Sequence, residues 1–555
     1  MKKTTIGNFQ FEYDNGDLFR VFWQGTQVIQ KIYMAVRDEA WNTIPAKVTN
    51  VQYNMNEEFA SVSFEARNSL NDIELEWKGE IRATSQNKLV FGFRGTALRQ
   101  FKFCKIGFNI HHGLEAYSGL PFTCKTESGD YIGRFTREII PQLVKDGTLT
   151  AMTPPYDELR VNFPNFDGLF RFTGDLFEMQ DHRNWADDNW KSYGTPLSKG
   201  FPFQASLGDT FEQQIEFEIL DSSFVQVASE MDEPRILPPK LPKIGVDVKE
   251  LISNDVLISL KKLSLDFLRT SLSFSKPDWD LFDAVVKSAK FLNCGIEVVI
   301  YLPEKPSEAD VKKMIEAFFE VKELISRLVV LTEKSGYSAF QGATSPELSS
   351  LVSKLLPADA HFPIFSGTDQ FFSDVNRARP DYSGIDGVVF ALNPQVHSGD
   401  ALSIMQNATP IEDIAMFINT LYPGKAIAVS PVEFLGEFGP FPLGPQREDG
   451  LPANIDPRFS SSLGTAWTCA FIGHASQSHI SSLTLFEVTG PRGILASKGE
   501  YTEISKLLGE ILSMRAEGYT LTKVEFLPDN ERTSLFFSTS DGKNTKIVMR
   551  EVSST

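Results

Sequence analysis

Cysteine is scarce. The 555 residues hold four, Cys104, Cys124, Cys294 and Cys469, and no two have CxxC spacing. That excludes a disulfide framework and a zinc knuckle and leaves reduced structural thiols. Histidine is scarce as well, with seven residues; HxH and HExxH are absent, and the neighbours His111 and His112 would point to opposite faces of a strand. No metal site is expected. Neither GxGxxG nor a Walker-type loop follows any strand, so no cofactor is expected either. Lys/Arg-rich runs are missing from a chain of formal net charge -18, which argues against nucleic acid as a partner. No apolar stretch reaches the roughly 18 residues of a membrane span, and the start "MKKTTIGNFQFEYDNG" lacks the apolar core of a signal peptide. The expectation is a cytoplasmic protein without a membrane partner, acting on a small molecule; nothing in the sequence speaks to its oligomeric state.

What is present divides into three regions. A chain this long exceeds one hydrophobic core. From Phe9 to about Leu220, stretches such as "NDIELEWKGEI", "NKLVFGFRG" and "FEQQIEFEIL" alternate with period two, and no long helix interrupts them. They predict an antiparallel β-sandwich over residues 1–237. The Pro-rich "MDEPRILPPKLPKIGVD" ends it, with a boundary near Pro238. Strand then alternates with amphipathic helix, from "KIGVDV" through "CGIEVVIYL" to "HISSLTLFE", with helices such as "SEADVKKMIEAFFEVKELI" between. Eight strand slots predict a (β/α)8 barrel over 238–516. A β-module over 517–555 closes the chain, with "SDGK" as its hairpin turn.

In such a barrel the active site lies at the C-terminal strand ends. The polar residues there are Arg269 after strand two, Thr332 and Glu333 after strand four, and Thr368, Asp369 and Gln370 after strand five. Asn393, Gln395 and His397 follow strand six, Glu433 strand seven, and Glu487 and Thr489 strand eight. Carboxylates, amides, a histidine and an arginine suit a polyhydroxylated substrate; each residue alone is equally a helix cap or a solvated loop residue. Glu333 and Glu433 occupy the slots of a glycosidase acid/base and nucleophile, although Glu333, in "LTEKSG", is equally a surface partner of Lys334.

The run "FEMQDHRNWADDNWKSYGTPL", residues 177–197, crowds charged and aromatic residues into the β-region. Asp, Arg and Lys are costly to bury unpaired. Asp181, Arg183, Asn184, Trp185 and Lys191 are therefore expected in a substrate wall, or in a polar surface that fixes two domains; Trp185 and Trp190 would stack on a sugar or pack domains accordingly.

Together with "FSGTDQFFSDVNRARP", "FALNPQVHSGD", "IAVSPV", "DPRFSSSLGTAWT" and "SSLTLFEVTGPRGI", this run resembles the D-apionate lactonases of bacterial D-apiose breakdown, nearly along the whole chain. The resemblance implies a β-domain, a barrel and a C-terminal module, and hydrolysis of a branched sugar-acid lactone. The sequence departs from the family pattern at Glu433, Asp369 and His182. For lactone hydrolysis, Glu487 or His397 could be the base, and Arg269, Asn376 or Arg377 donors to the oxyanion. The ordinary reading of Glu487 with Arg492 is a pair that holds a loop. Two other classes stay open: a glycoside hydrolase using Glu433 with Glu333 or Glu487, and a non-catalytic carbohydrate-binding protein.

Overall fold

Alternating apolar residues in the first region do fold as paired strands. A computed structural model describes residues 1–145, 148–221, 238–333, 342–357, 362–435, 452 and 454–553. Residues 231–237 of the Pro-rich connection, and Lys334, lie outside the described residues. The chain forms two compact units: one holds residues 1–183 and 188–221, the other Asn184–Asp187, the barrel and the C-terminal sheet.

The first unit is built on two antiparallel sheets of seven and nine strands. Ile73–Thr84 shows why: alternate residues from Leu75 onward are buried, so one face is apolar and the other solvated. The apolar faces meet through phenylalanines. The Phe91 ring of the nine-stranded sheet lies 4.7 Å from Phe108 of the seven-stranded sheet, and Phe9 packs on Phe217. His112 points into this core, where its Nε2 bonds the Ser192 Oγ at 2.7 Å, while His111 faces the other way, against Tyr33. Burial pushes the His112 imidazole down to about 3, so it stays neutral.

In the second unit eight parallel strands close into the expected barrel. They are β1 (Lys243–Asp247), β2 (Phe267–Ser273), β3 (Gly295–Leu302), β4 (Ile325–Thr332), β5 (Ile364–Gly367), β6 (Gly387–Leu392), β7 (Ala426–Val432) and β8 (Ser482–Glu487). Three details differ from the sequence reading. The helix expected over residues 307–325 stops at Glu316 and resumes as a 3-10 segment, Phe319–Leu324, with a non-helical Val321. Since β4 begins at the next residue, no loop is available and the last turn tightens instead. Two further short helices, Phe372–Ala378 and Ala401–Gln406, follow β5 and β6.

The C-terminal strands Thr520–Phe526, Arg532–Ser538 and Thr545–Glu551 form a three-stranded sheet. It packs within the barrel unit: Phe526 stacks on His474 at 3.8 Å, and Arg550 bonds Glu510 at 2.8 Å. Among the described residues no helix is long and apolar enough to cross a membrane.

Candidate active site

Glu297 would be an anomaly in the apolar β3 run "GIEVVIYL" if it stood alone. It is fully buried, and its partners come from other barrel strands, two of them adjacent. Arg327 on β4 pairs with it, Arg269 Nε lies 3.4 Å from its Oε1, and Ser430 Oγ donates to the same oxygen at 2.5 Å. Arg269 also donates to Asp247 Oδ2 at 2.6 Å. Register explains the cluster, since Arg269 sits beside Asp247 on one side and Glu297 on the other. Burial works against the Arg269 charge, but Asp247, Tyr301 and Glu297 hold it firmly protonated. Burial alone would likewise raise Asp247, yet Arg269 and Lys249 bring its carboxyl below the usual range.

Toward the strand ends the balance of charge changes. Alternation puts Glu297, Val299 and Tyr301 on one face of β3, and Tyr301, at the far end, hydrogen-bonds Asp369 after β5. Burial raises the Tyr301 hydroxyl well above its ordinary value, so it stays protonated. Glu487 ends β8 opposite Asp247 in register. Burial raises its carboxyl; Arg492 and Lys249 oppose that rise, and the Glu433 and Asp247 carboxylates reinforce it. Arg492 compensates poorly, its Nη1 standing 3.7 Å from Glu487 while its Nη2 serves the carbonyls of Leu435 and Asn454. Glu333, after β4, is the opposite case. Although burial favours its neutral form, hydrogen bonds from Ser273 and Ser275 hold it below the usual range.

A second group surrounds His397 after β6. Its Nδ1 lies 2.6 Å from Asp187 Oδ2, and Asn407 Nδ2 holds Asp187 Oδ1 at 3.2 Å. Trp185 stands edge-on to the His397 ring, with centroids 5.4 Å apart, and packs with Phe371 and Val396. Asn184 accepts from Asn376 at 2.9 Å. Gln395 belongs to a separate pair, donating to Asp456 at 2.5 Å, and Arg377 pairs with Asp374 at 3.3 Å.

Asp181, Arg183 and Lys191 lie in the β-domain unit. Arg183 is fully buried and bidentate to Asp181, Nε to Oδ1 at 2.9 Å and Nη2 to Oδ2 at 2.7 Å. It also donates to the carbonyls of Thr136, Arg137 and Glu138 and covers the Trp190 ring at 4.6 Å. Lys191 is buried against the Tyr193 ring. Among the residues absent from the sequence list are Asp247, Lys249, Tyr301 and Asp187. The first three obey the same strand-end rule, applied to strands one and three; Asp187 lies in the charged run 177–197, but nothing local singles it out from the other charges there.

Residues 1–222 match the family model described as D-apionate lactonase, N-terminal domain, and residues 250–518 that described as its TIM barrel domain. The D-apionate lactonase of Brucella anthropi is 24% identical over 521 residues, covering 89% of this chain and 84% of its own. Among solved structures, a GH30 endoxylanase from Clostridium papyrosolvens is 12% identical, covering 57% of this chain and 82% of its own at a TM-score of 0.40. A putative aldose 1-epimerase from Escherichia coli K12 is 9% identical, covering 40% and 98% at 0.26. Likenesses this slight carry no weight for the reaction.

Proposed function

The chain belongs to the D-apionate lactonase family, and from that premise we propose that it hydrolyses a sugar-acid lactone like D-apionolactone to the open acid, using base-activated water. The observation that carries the reading is the raised, half-buried carboxyl of Glu487 at a barrel strand end. A carboxylate whose proton affinity is raised toward the working pH is a stronger base toward water. Glu487 takes a proton from water as the oxygen adds to the acyl carbon. Lys249, beside Asp247 at 3.4 Å, supplies a cation for the developing oxyanion. Asp369 and Tyr301 bind substrate hydroxyls, and Arg269 holds Asp247 in place for the same work. Acid release from purified protein, followed with a pH indicator against a panel of aldonolactones including D-apionolactone, tests this directly. One lactone is opened well above its spontaneous rate, and the rate survives chelator; silence on every lactone defeats the reading.

The second reading, a glycoside hydrolase, draws on Glu433 and Glu487, which end adjacent strands, the Glu433 carboxylate helping to raise Glu487. Glu333 serves it badly as an acid, because a carboxyl held low is a poor proton donor. Glu433→Gln separates the two: it removes glycosidase activity by orders of magnitude but leaves most of a lactonase rate that depends on Glu487.

A further inference from the structure

Activating water solves half of a lactone hydrolysis. The tetrahedral intermediate must still expel the ring oxygen, and an alkoxide is a poor leaving group unless a proton reaches it as the bond breaks. Resting on the lactonase reading above, we infer that His397 is the proton donor to the ring oxygen and that Asp187 is the residue that positions and charges it.

The geometry around the imidazole carries this. Asp187 Oδ2 lies 2.6 Å from His397 Nδ1, so Nδ1–H donates to the carboxylate and Nε2 carries the transferable proton. A carboxylate at that distance stabilises the imidazolium, the form that donates. The carboxylate is itself fixed: Asp187 is buried, and Asn407, anchored to the Pro394 carbonyl at 2.9 Å, bonds its other oxygen at 3.2 Å. Trp185, from the same Asn184–Asp187 segment, limits the tilt of the ring from its side. This is more restraint than a surface histidine needs. β6, which His397 follows, and β8, which Glu487 ends, flank β7 in the barrel.

The atoms balance. Glu487 removes one proton from water, and the remaining hydroxide forms the new C–O bond at the acyl carbon. The ring C–O bond then breaks, its electron pair goes to the ring oxygen, and that oxygen takes the proton from His397 Nε2. Glu487 returns its proton to solvent and His397 takes one up. One water is consumed, and the product acid ionises.

Steady-state kinetics of the full chain on D-apionolactone, combined with an 18O isotope effect at the ring oxygen, tests the inference. For His397→Gln and for the isosteric Asp187→Asn, kcat falls about 10²–10⁴-fold with KM little changed. The ring-18O effect increases in both, because the C–O bond now breaks without proton transfer. Imidazole added to His397→Gly restores part of the rate and adds nothing to Asp187→Asn. Wild-type kcat in His397→Gln, or slow variants with an unchanged isotope effect and no rescue, overturns the inference. Failure elsewhere looks different: if wild type opens no lactone, or Glu487→Gln keeps its rate, the underlying reading fails. If Glu487→Gln is inactive and both His397 and Asp187 variants are fully active, only the proton-donor role falls.

Discussion

Two carboxylate–arginine pairs, the buried Asp181 with Arg183 in the β-domain unit and the half-buried Glu487 with Arg492 in the barrel unit, solve the same problem to different degrees. Asp181 and Arg183 meet twice at 2.9 Å or less, and three carbonyls share the remaining guanidinium donors. Glu487 has its arginine at 3.7 Å and two carboxylates for neighbours, and its carboxyl rises. Complete compensation makes a charge structural; incomplete compensation at a strand end leaves it reactive.

The comparison breaks first at Glu487. Glu487→Gln should lower kcat/KM on D-apionolactone by about 10²–10⁴-fold, the usual worth of a general base; a variant within a few-fold of wild type would make Glu487 a mere loop partner of Arg492. Next comes Arg183→Met, which strands Asp181 as a buried charge. Urea denaturation should show a loss of about 3–5 kcal/mol, with KM of the folded fraction unaltered. Unchanged stability and a raised KM would instead return Arg183 to the substrate wall that the sequence suggested.

A smaller effect follows from the sign of the Glu487 shift. A carboxyl raised in the folded state contributes stability below the unfolded carboxyl range and loses it as pH rises through the folded value. At neutral pH its ionised form therefore weighs against the fold. Glu487→Gln should raise Tm at pH 7 and give no such gain near pH 4, as differential scanning calorimetry can check. Smallest is Glu433→Gln. It removes one charge that raises Glu487, so the acid limb of the pH–kcat/KM profile should move to lower pH while the maximal rate stays within about tenfold. A shift to higher pH would contradict the assigned neighbourhood.

Much of this organisation was legible because it is local. Period-two alternation in Ile73–Thr84 and the apolar runs of the barrel strands report which faces are buried, and the chain satisfies both. Strand-end reasoning singled out Arg269, Asp369, Glu433 and Glu487 as candidates. It passed over Asp247, Lys249 and Tyr301 only because strands one and three were not searched for the polar residues at their ends. The Asp187–His397 pair could not be read in this way, since its members stand 210 residues apart. The run 177–197 is legible only in part: its Trp185 and Asp187 stand beside His397. Its charges look exposed in sequence, but Arg183 is buried beside Asp181, two residues away, under carbonyls contributed by residues 136–138. A backbone acceptor leaves no mark in side-chain composition.

The central claim is that the barrel's undercompensated carboxylate opens a lactone. Its most direct test is acid release from D-apionolactone beside aryl glycosides, by wild type and Glu487→Gln, with and without chelator. The account predicts lactone opening by wild type in both conditions, its collapse in Glu487→Gln, and no aryl release. Aryl release from a glycoside with every lactone left intact would contradict it.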